Sequence, residues 1–526
     1  MRSYSEATRQ ALLLTTCSAA ALGVSAWITQ ARADDHGRCH LRDDSLIISS
    51  SAYDRTHGAV ASLAVGTPLA NTNTATVAAV AGNNYVTVWN NAKVDGSFGV
   101  TSPIQLTDVD GFDGRVFCAR EVPTDDVVTS FSSKSELGLH AMRDWRGFHL
   151  VFVGYSQPGV GALDVSNSDA VAGQDPTNPV TFAFGSKYAF SRTIVSMDDD
   201  GEFSYTPTIN YGGNNGRSAL LAPNGLYYTV GNANNGNATT FGSSNGTTPD
   251  VTETTGLEVV RPINGLTPRV TIPTNNSAQV DPLLDFTFGT KTDKPGKDNN
   301  YRGVAQYHGA LYFTKGSGSN GMDTVYTVNT LPTLADAAST KITVVPGFPT
   351  DSAKATGGNF TPFAVFFANP TTMYVTDEGS GNTTDTTNHA GLEKWSLVNG
   401  VWQLDYVLTK GLIGTVDTNL NGSDGQYPDV TTVGLRNLTG VVNRDGTVTL
   451  WATTSTSSTS GDQGADPNKV VRITDVVAAT TMTPAVAAES FNTIAGPTYG
   501  VVYRGVAYKT DLFDRDHDHD HDHDTH

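Results

Sequence analysis

Cysteine is scarce in this chain, with three in 526 residues. That excludes a disulfide-dense scaffold, and no Cys-based metal motif occurs. Basic residues are also few, 33 against 52 acidic ones. The formal net charge of −19 leaves little to neutralise a phosphate backbone, so nucleic acid is excluded as a partner. Beyond the first thirty-odd residues no segment sustains the 3.6-residue apolar repeat of an amphipathic helix. The motifs G-x-S-x-G and H-E-x-x-H are absent, which removes the serine-hydrolase and zincin readings.

What is present is glycine, 53 residues of it, and many short β-branched and aromatic runs bounded by Gly, Asn, Asp and Pro. This pattern predicts an all-β protein. The N-terminus carries Arg2 and Arg9, an apolar run over residues 11–28, and Ala31-Arg32-Ala33, the A-x-A form of a secretory cleavage site. Residues 1–33 are expected to be a signal peptide, the alternative being an uncleaved anchor. Localisation is then secreted or periplasmic. Two cysteines remain, Cys39 and Cys118, and an oxidising compartment makes one disulfide the simple expectation, with two buried thiols as the alternative.

Self-comparison gives the strongest signal. NNGRSALLAPNGLYYTVGN (214–232) aligns without gaps on NNYRGVAQYHGALYFTKGS (299–317), and looser copies start at 137, 361, 436 and 498. Each copy reads as an inner hairpin. Most are followed by a polar loop and an outer strand such as GALDVSNSD, TGLEVVRP, DTVYTVNT, AGLEKWSLV or NKVVRITDV. Units of about 60 to 85 residues with four short strands each describe β-propeller blades. Seven blades are expected, with six or eight as alternatives, because strands near 45–50 and 85–89 would either complete a seventh blade or close the ring with the C-terminal copy. The domains are then a 34–44 arm, a 45–513 propeller and a 514–526 tail.

The segment MYVTDEGSG (373–381), with LYYTVGN and LYFTKGS, resembles the YVTN-type repeat of secreted and periplasmic propellers, whose relatives include lactonase-like proteins. The repeats here are longer, and the Asn after Thr is missing. The resemblance implies a seven-bladed propeller outside the cytoplasm and no particular reaction.

Residues just before each innermost strand, and the loop after the second strand, ring one mouth of a propeller channel. That rule places Arg217, Arg302 and Arg436 on one rim, with Asn214, Asn215, Asn299, Asn300 and Asn437, and brings Asp377 and Glu378 toward it. Guanidinium forks grip carboxylates and amides read hydroxyls, so a small-molecule or saccharide ligand fits such a mouth. The structural alternative is that these groups satisfy carbonyls between blades. For a polysaccharide lyase His140, His308, Tyr301 and Tyr499 would be the bases to consider near an arginine. A calcium-dependent lactonase would need acidic and amide groups around the channel. A binding protein, an enzyme, and a scaffold for an extracellular protein all remain open.

Metal ligands are expected at three places. The loop DTNLNGSDG sets Asp417, Asn419 and Asn421 at the alternating positions of a Ca²⁺ loop with Gly422 at the turn, without the terminal acidic ligand; an ordinary Asn/Gly turn is the alternative. The tail DRDHDHDHDHDTH offers His517, His519, His521, His523 and His526 among aspartates, a set suited to Zn²⁺, Ni²⁺ or Cu²⁺. Cleavage after Ala33 would expose Asp34-Asp35-His36, whose amine and third-position imidazole suit square-planar Cu²⁺ or Ni²⁺. Asn237, Asn245 and Asn437 stand in glycosylation triplets, used only in a eukaryotic host.

Overall fold

The computed structural model describes residues 39–510 apart from internal segments, the longest being 79–98, 164–190, 264–275 and 283–298. The signal segment, Asp34, Asp35, His36, the strand expected at 85–89, Asn237, Asn245 and the whole His/Asp tail lie outside the described residues.

The chain is an all-β propeller. Among the described residues six sheets form its blades. Blade 1 runs outward from Val501–Lys509 through Ser45–Ala52 and Ile104–Val109 to Val116–Glu121. Blade 2 contains His140–Asp144, Gly147–Ser156, Arg192–Met197 and Phe203–Thr208. Blade 3 is Gly216–Leu221, Tyr227–Gly231, Gly256–Val260 and Ser277–Gln279. Blade 4 is Val304–Tyr307, Ala310–Lys315, Thr324–Val328 and Thr343–Val344. Blade 5 is Pro362–Asn369, Thr372–Asp377, Gly391–Val398 and Val401–Leu408. Blade 6 is Val430–Val442, Thr447–Ser457, Val470–Val476 and Asn492–Ala495, with Val416–Asp417 on its inner edge. The first strand named in each blade touches the first strand of the next, and blade 6 touches blade 1, so these six close a ring.

The ring is sealed by a strand from each end of the chain. Leu46 lies opposite Tyr508 and Ile48 opposite Val506. The expectation that residues 45–50 close the ring therefore holds in form, with one correction: the copy starting at 498 supplies a single strand, and its hairpin partner comes from the N-terminus. A second correction concerns GALDVSNSD. The third strand of blade 2 is Arg192–Met197, and Leu163 makes only an isolated bridge to Val100.

Strands sandwiched between blades are buried along their whole length, as Gly216–Leu221 and Tyr227–Gly231 are, because both faces meet a neighbouring sheet. Tyr228 and Leu257 of blade 3 pack with Phe313 and Tyr326 of blade 4. Tyr374 and Leu392 of blade 5 pack with Leu450 and Ile473 of blade 6. Close packing explains Gly303 and Gly505. A Cβ on Gly303 would lie 2.4 Å from the Phe363 carbonyl oxygen, and one on Gly505 2.2 Å from that of Leu137. Cys39 and Cys118 form the expected disulfide, which ties the arm to the outer strand of blade 1 across 79 residues. Closing a loop of that length contributes on the order of 4 kcal/mol.

Candidate functional site

Antiparallel strands return the chain to one face of each blade, so the start of the first strand, the end of the second and the start of the third share a rim. In blades 4 to 6 this brings charge together. Arg302 precedes Val304–Tyr307, Lys315 ends the second strand of blade 4, and Asp323 precedes its third. Glu378 follows the second strand of blade 5, and Arg436 lies within the first strand of blade 6.

Arg436 Nε donates to Glu378 Oε2 at 3.2 Å, both side chains being buried. Arg302 lies within electrostatic reach of both: burial lowers its pKa, Glu378 opposes that fall, and Arg436 adds to it. Lys315 Nζ, fully buried, is 2.8 Å from Asp323 Oδ1. Arg436 Nη2 is buried and makes no hydrogen bond among the described residues. Of the expected mouth residues, the structure therefore unites Arg302, Arg436 and Glu378.

The others are placed differently. Arg217 donates to Asn300 Oδ1 and, at 3.0 Å, to the Tyr301 carbonyl of the next blade, which matches the structural alternative. Asn215 Oδ1 accepts from Tyr155 OH at 3.0 Å. Asn437, 8% exposed, donates to the Arg504 carbonyl, which leaves no room for a glycan in the folded protein. Asp377 is used within its own blade: Oδ2 accepts from Thr361 N at 2.7 Å, while Oδ1 accepts from Thr361 Oγ1 and from Gly379 N at 2.8 Å.

His140 reaches Ser218 Oγ at 2.8 Å, and burial pushes its pKa down to about 4, so it is neutral at pH 7. His308 sits in the hairpin turn between Tyr307 and Ala310, at the opposite end of blade 4 from Arg302, and so is no partner for it. The Tyr301 ring packs edge-on against Phe313 in the core between blades, and Tyr499 lies against Tyr427.

The loop at Asp417 is a small hairpin, with Asn421 opposite Gln426. Its side chains are used locally: Asp417 Oδ2 lies 3.1 Å from Lys469 Nζ, and Asn421 Nδ2 donates to the Asn419 carbonyl at 2.9 Å. Among the described residues no group of three His, Cys, Asp or Glu side chains could hold a metal ion. No helix among them is long and apolar enough to cross a membrane.

Sequence reasoning missed three features. Arg504 repeats the Tyr-Arg-Gly-Val of Arg302 and donates to the carbonyls of Phe131 and Gly464, the latter at 3.0 Å; the shared tetrapeptide was the available signal. Lys315 and Asp323 were hidden because a buried lysine has no local mark. His389 Nδ1 lies 2.6 Å from Glu393 Oε1, and Trp395 Nε1 donates to Glu393 Oε2 at 2.7 Å. The signal there was the spacing His-x-x-x-Glu-x-Trp.

This group titrates away from its usual ranges. Burial and then Glu393 push Asp377 up to about 7. The hydrogen bond to Glu393 raises His389. The rim thus holds guanidinium groups on one side of a strand end and a cluster of Asp377, Glu393 and His389 on the other.

Neither a protein-family model nor a curated protein matches the sequence. Among solved structures, the chain is similar to an endo-arabinase from Bacteroides thetaiotaomicron, at 9% identity over 52% of this chain and 78% of that one, with a TM-score of 0.25. It is also similar to a mutant apocarotenoid oxygenase from Synechocystis, at 10% identity over 88% and 92% of the two chains, TM-score 0.32. A polysaccharide lyase PL25 ulvan lyase matches at 9% identity over 77% and 91%, TM-score 0.27. Likeness at this level brings nothing to the reading of the site.

Proposed function

We propose that the protein is a secreted or periplasmic β-propeller that binds a small carboxylate-bearing ligand, such as a sugar acid, at its channel mouth, and that its His/Asp tail captures divalent metal. The observation that carries the mouth is Arg436, whose Nη2 is buried and has no hydrogen-bond partner among the described residues while Nε is fixed on Glu378. A buried donor of a charged guanidinium left without a partner costs free energy, and a carboxylate oxygen would recover it. The disulfide and the YVTN-type resemblance support a place outside the cytoplasm.

Calorimetric titration with galacturonate tests the mouth. Wild type should bind, and Arg436→Gln should weaken binding at least about tenfold, the scale of one charged hydrogen bond. Equal binding by both proteins would place the ligand elsewhere. For the tail, elemental analysis of protein purified without a metal column, beside a chain ending at Phe513, should show Zn, Ni or Cu in the longer form alone.

A second reading, an enzyme acting on carbohydrate or ester, is favoured by one observation: Asp377, Glu393 and His389 form a proton-exchanging group one residue from Glu378.

A further inference from the structure

The charge at the mouth is carried by three adjoining blades whose backbones touch. Arg302 N donates to the Thr314 carbonyl at 2.8 Å, which sets Arg302 beside the strand end that holds Lys315. The next residue, Gly316, abuts blade 5 so closely that a Cβ on it would stand 2.5 Å from the Pro362 carbonyl oxygen. Glu378 N donates to the Thr361 carbonyl at 3.0 Å, and a Cβ on Gly434, two residues before Arg436, would stand 2.4 Å from the Glu378 carbonyl carbon. Five charged side chains therefore share one seam: Arg302, Lys315 and Asp323 of blade 4, Glu378 of blade 5 and Arg436 of blade 6.

Two of the five form a pair of their own. Lys315 Nζ lies 2.8 Å from Asp323 Oδ1, and the lysine is fully buried. A buried ammonium persists beside a carboxylate, so Asp323 takes up the Lys315 charge inside the protein. In the rest of the set, Glu378 Oε2 lies 3.2 Å from Arg436 Nε. The two parts act on each other across the seam. Burial raises the Asp323 carboxyl, Lys315 and Arg302 draw it down, and Glu378 adds to the rise; Arg302 in turn responds to Glu378, Arg436 and Asp323. Among the described residues of this seam, three cations face two carboxylates, and one positive charge is left over.

We propose that the mouth selects ligands carrying a single negative charge, and that Asp323 sets this limit by neutralising Lys315. This rests on the mouth reading above and deepens it. One carboxylate at Arg436 cancels the excess. A second carboxylate on the same ligand would add an uncompensated negative charge beside Glu378 and Asp323, among buried groups where screening by salt is weak. An unpaired charge of this kind discriminates against a ligand of nearly the same shape. Asp323 is a positioning residue here, because it acts through Lys315 and does not itself hold the ligand.

Calorimetric titration at pH 6 with galactonate and galactarate tests the limit. The two open-chain acids share the same run of hydroxyl-bearing carbons and differ at one end, an alcohol in the first and a second carboxylate in the other. Wild type should bind galactonate at least about tenfold more tightly than galactarate, the scale of one charged interaction. Asp323→Asn, which frees the Lys315 charge, should bring galactarate level with galactonate or ahead of it. Lys315→Met combined with Asp323→Asn removes the pair as a unit and should keep the wild-type preference. A purely structural role for Asp323 would weaken both acids together and leave their ratio unmoved. Equal affinities in wild type, a preference for galactarate, no binding of either acid, or an unchanged ratio in Asp323→Asn overturns the proposal. The wild-type ratio needs no variant, so poor folding of Asp323→Asn leaves the charge limit tested. Acids that bind wild type alike, and that Arg436→Gln weakens alike, refute the charge limit alone; acids whose binding Arg436→Gln leaves unchanged refute the mouth reading as well.

Discussion

Blades 3 and 5 carry the same tripeptide on their third strands, Gly256-Leu257-Glu258 and Gly391-Leu392-Glu393, in the same register against the second strand, where Gly256 faces Gly231 and Gly391 faces Asp377. Both glutamates are fully buried. Four residues before Glu393 stands His389 and two after it Trp395, and both bond to its carboxylate. The corresponding residues around Glu258 are Thr254 and Val260. Thr254 gives its hydroxyl to Asn210 at 2.9 Å and only weakly offsets the burial of Glu258, and among the described residues neither Glu258 oxygen has a hydrogen-bond partner. Burial pushes Glu258 well above the ordinary carboxylate range. One backbone slot thus holds a buried carboxyl without a strong partner in one blade and the anchor of an imidazole in the other. The choice is made by two side chains, not by the fold.

The sharpest way to break this comparison is Glu393→Ala. It leaves His389 Nδ1 and Trp395 Nε1 without their acceptor and should cost about 3 kcal/mol in urea unfolding. Glu258→Ala, which strands no donor, should cost clearly less; equal losses would mean that the two pairings are worth nothing.

Next in size is pH. Asp377 has its folded pKa raised from 3.8 to about 7, so between these values the folded state holds a proton that the unfolded state has released. Stability from this group is therefore largest in mild acid and falls as pH rises toward 7, by about 2 kcal/mol from pH 5. His389, also raised, acts in the same direction: its contribution is complete below the ordinary histidine pKa and is lost as pH rises through the folded value. Unfolding midpoints at pH 5 and 7 should show this slope, and Asp377→Asn should flatten it. A slope unchanged in that variant assigns it to other groups.

Trp395→Phe removes one donor from Glu393 and should cost about 1.5 kcal/mol by the same unfolding assay. The smallest effect is expected at Glu258→Gln, which keeps the side-chain shape and removes a carboxyl whose ionised form burial disfavours, and should stay within about 0.5 kcal/mol at pH 7. A loss above about 2 kcal/mol there would show that Glu258 is ionised and paired.

Much of the architecture was legible. The gapless match of 214–232 on 299–317 located two blades, and the outer strands at TGLEVVRP, DTVYTVNT, AGLEKWSLV and NKVVRITDV are third strands in the structure. The charged rim was legible only in part. Arg217 and Arg302 stand at the same point of the repeat, yet Arg217 spends its guanidinium on Asn300 and a carbonyl, whereas Arg302 faces Glu378 and Arg436. Repeat position placed these arginines on one rim without revealing what each would meet there.

Strand formation and its repetition follow from local patterns, β-branched and aromatic runs and Gly/Asn turns within each unit, so the amino-acid order alone determined an all-β propeller with hairpin blades. Partnership across blades does not follow from local pattern. Arg436 meets Glu378 across 58 residues, Lys394 meets Asp475 across 81, and Arg504 meets Phe131 across 373. Each of these contacts depends on which strand edge the ring brings alongside. Only the closed tertiary structure decided which arginine faces a carboxylate, which buried glutamate finds partners, and which histidine it holds, because burial and neighbouring charge arise only when the blades pack.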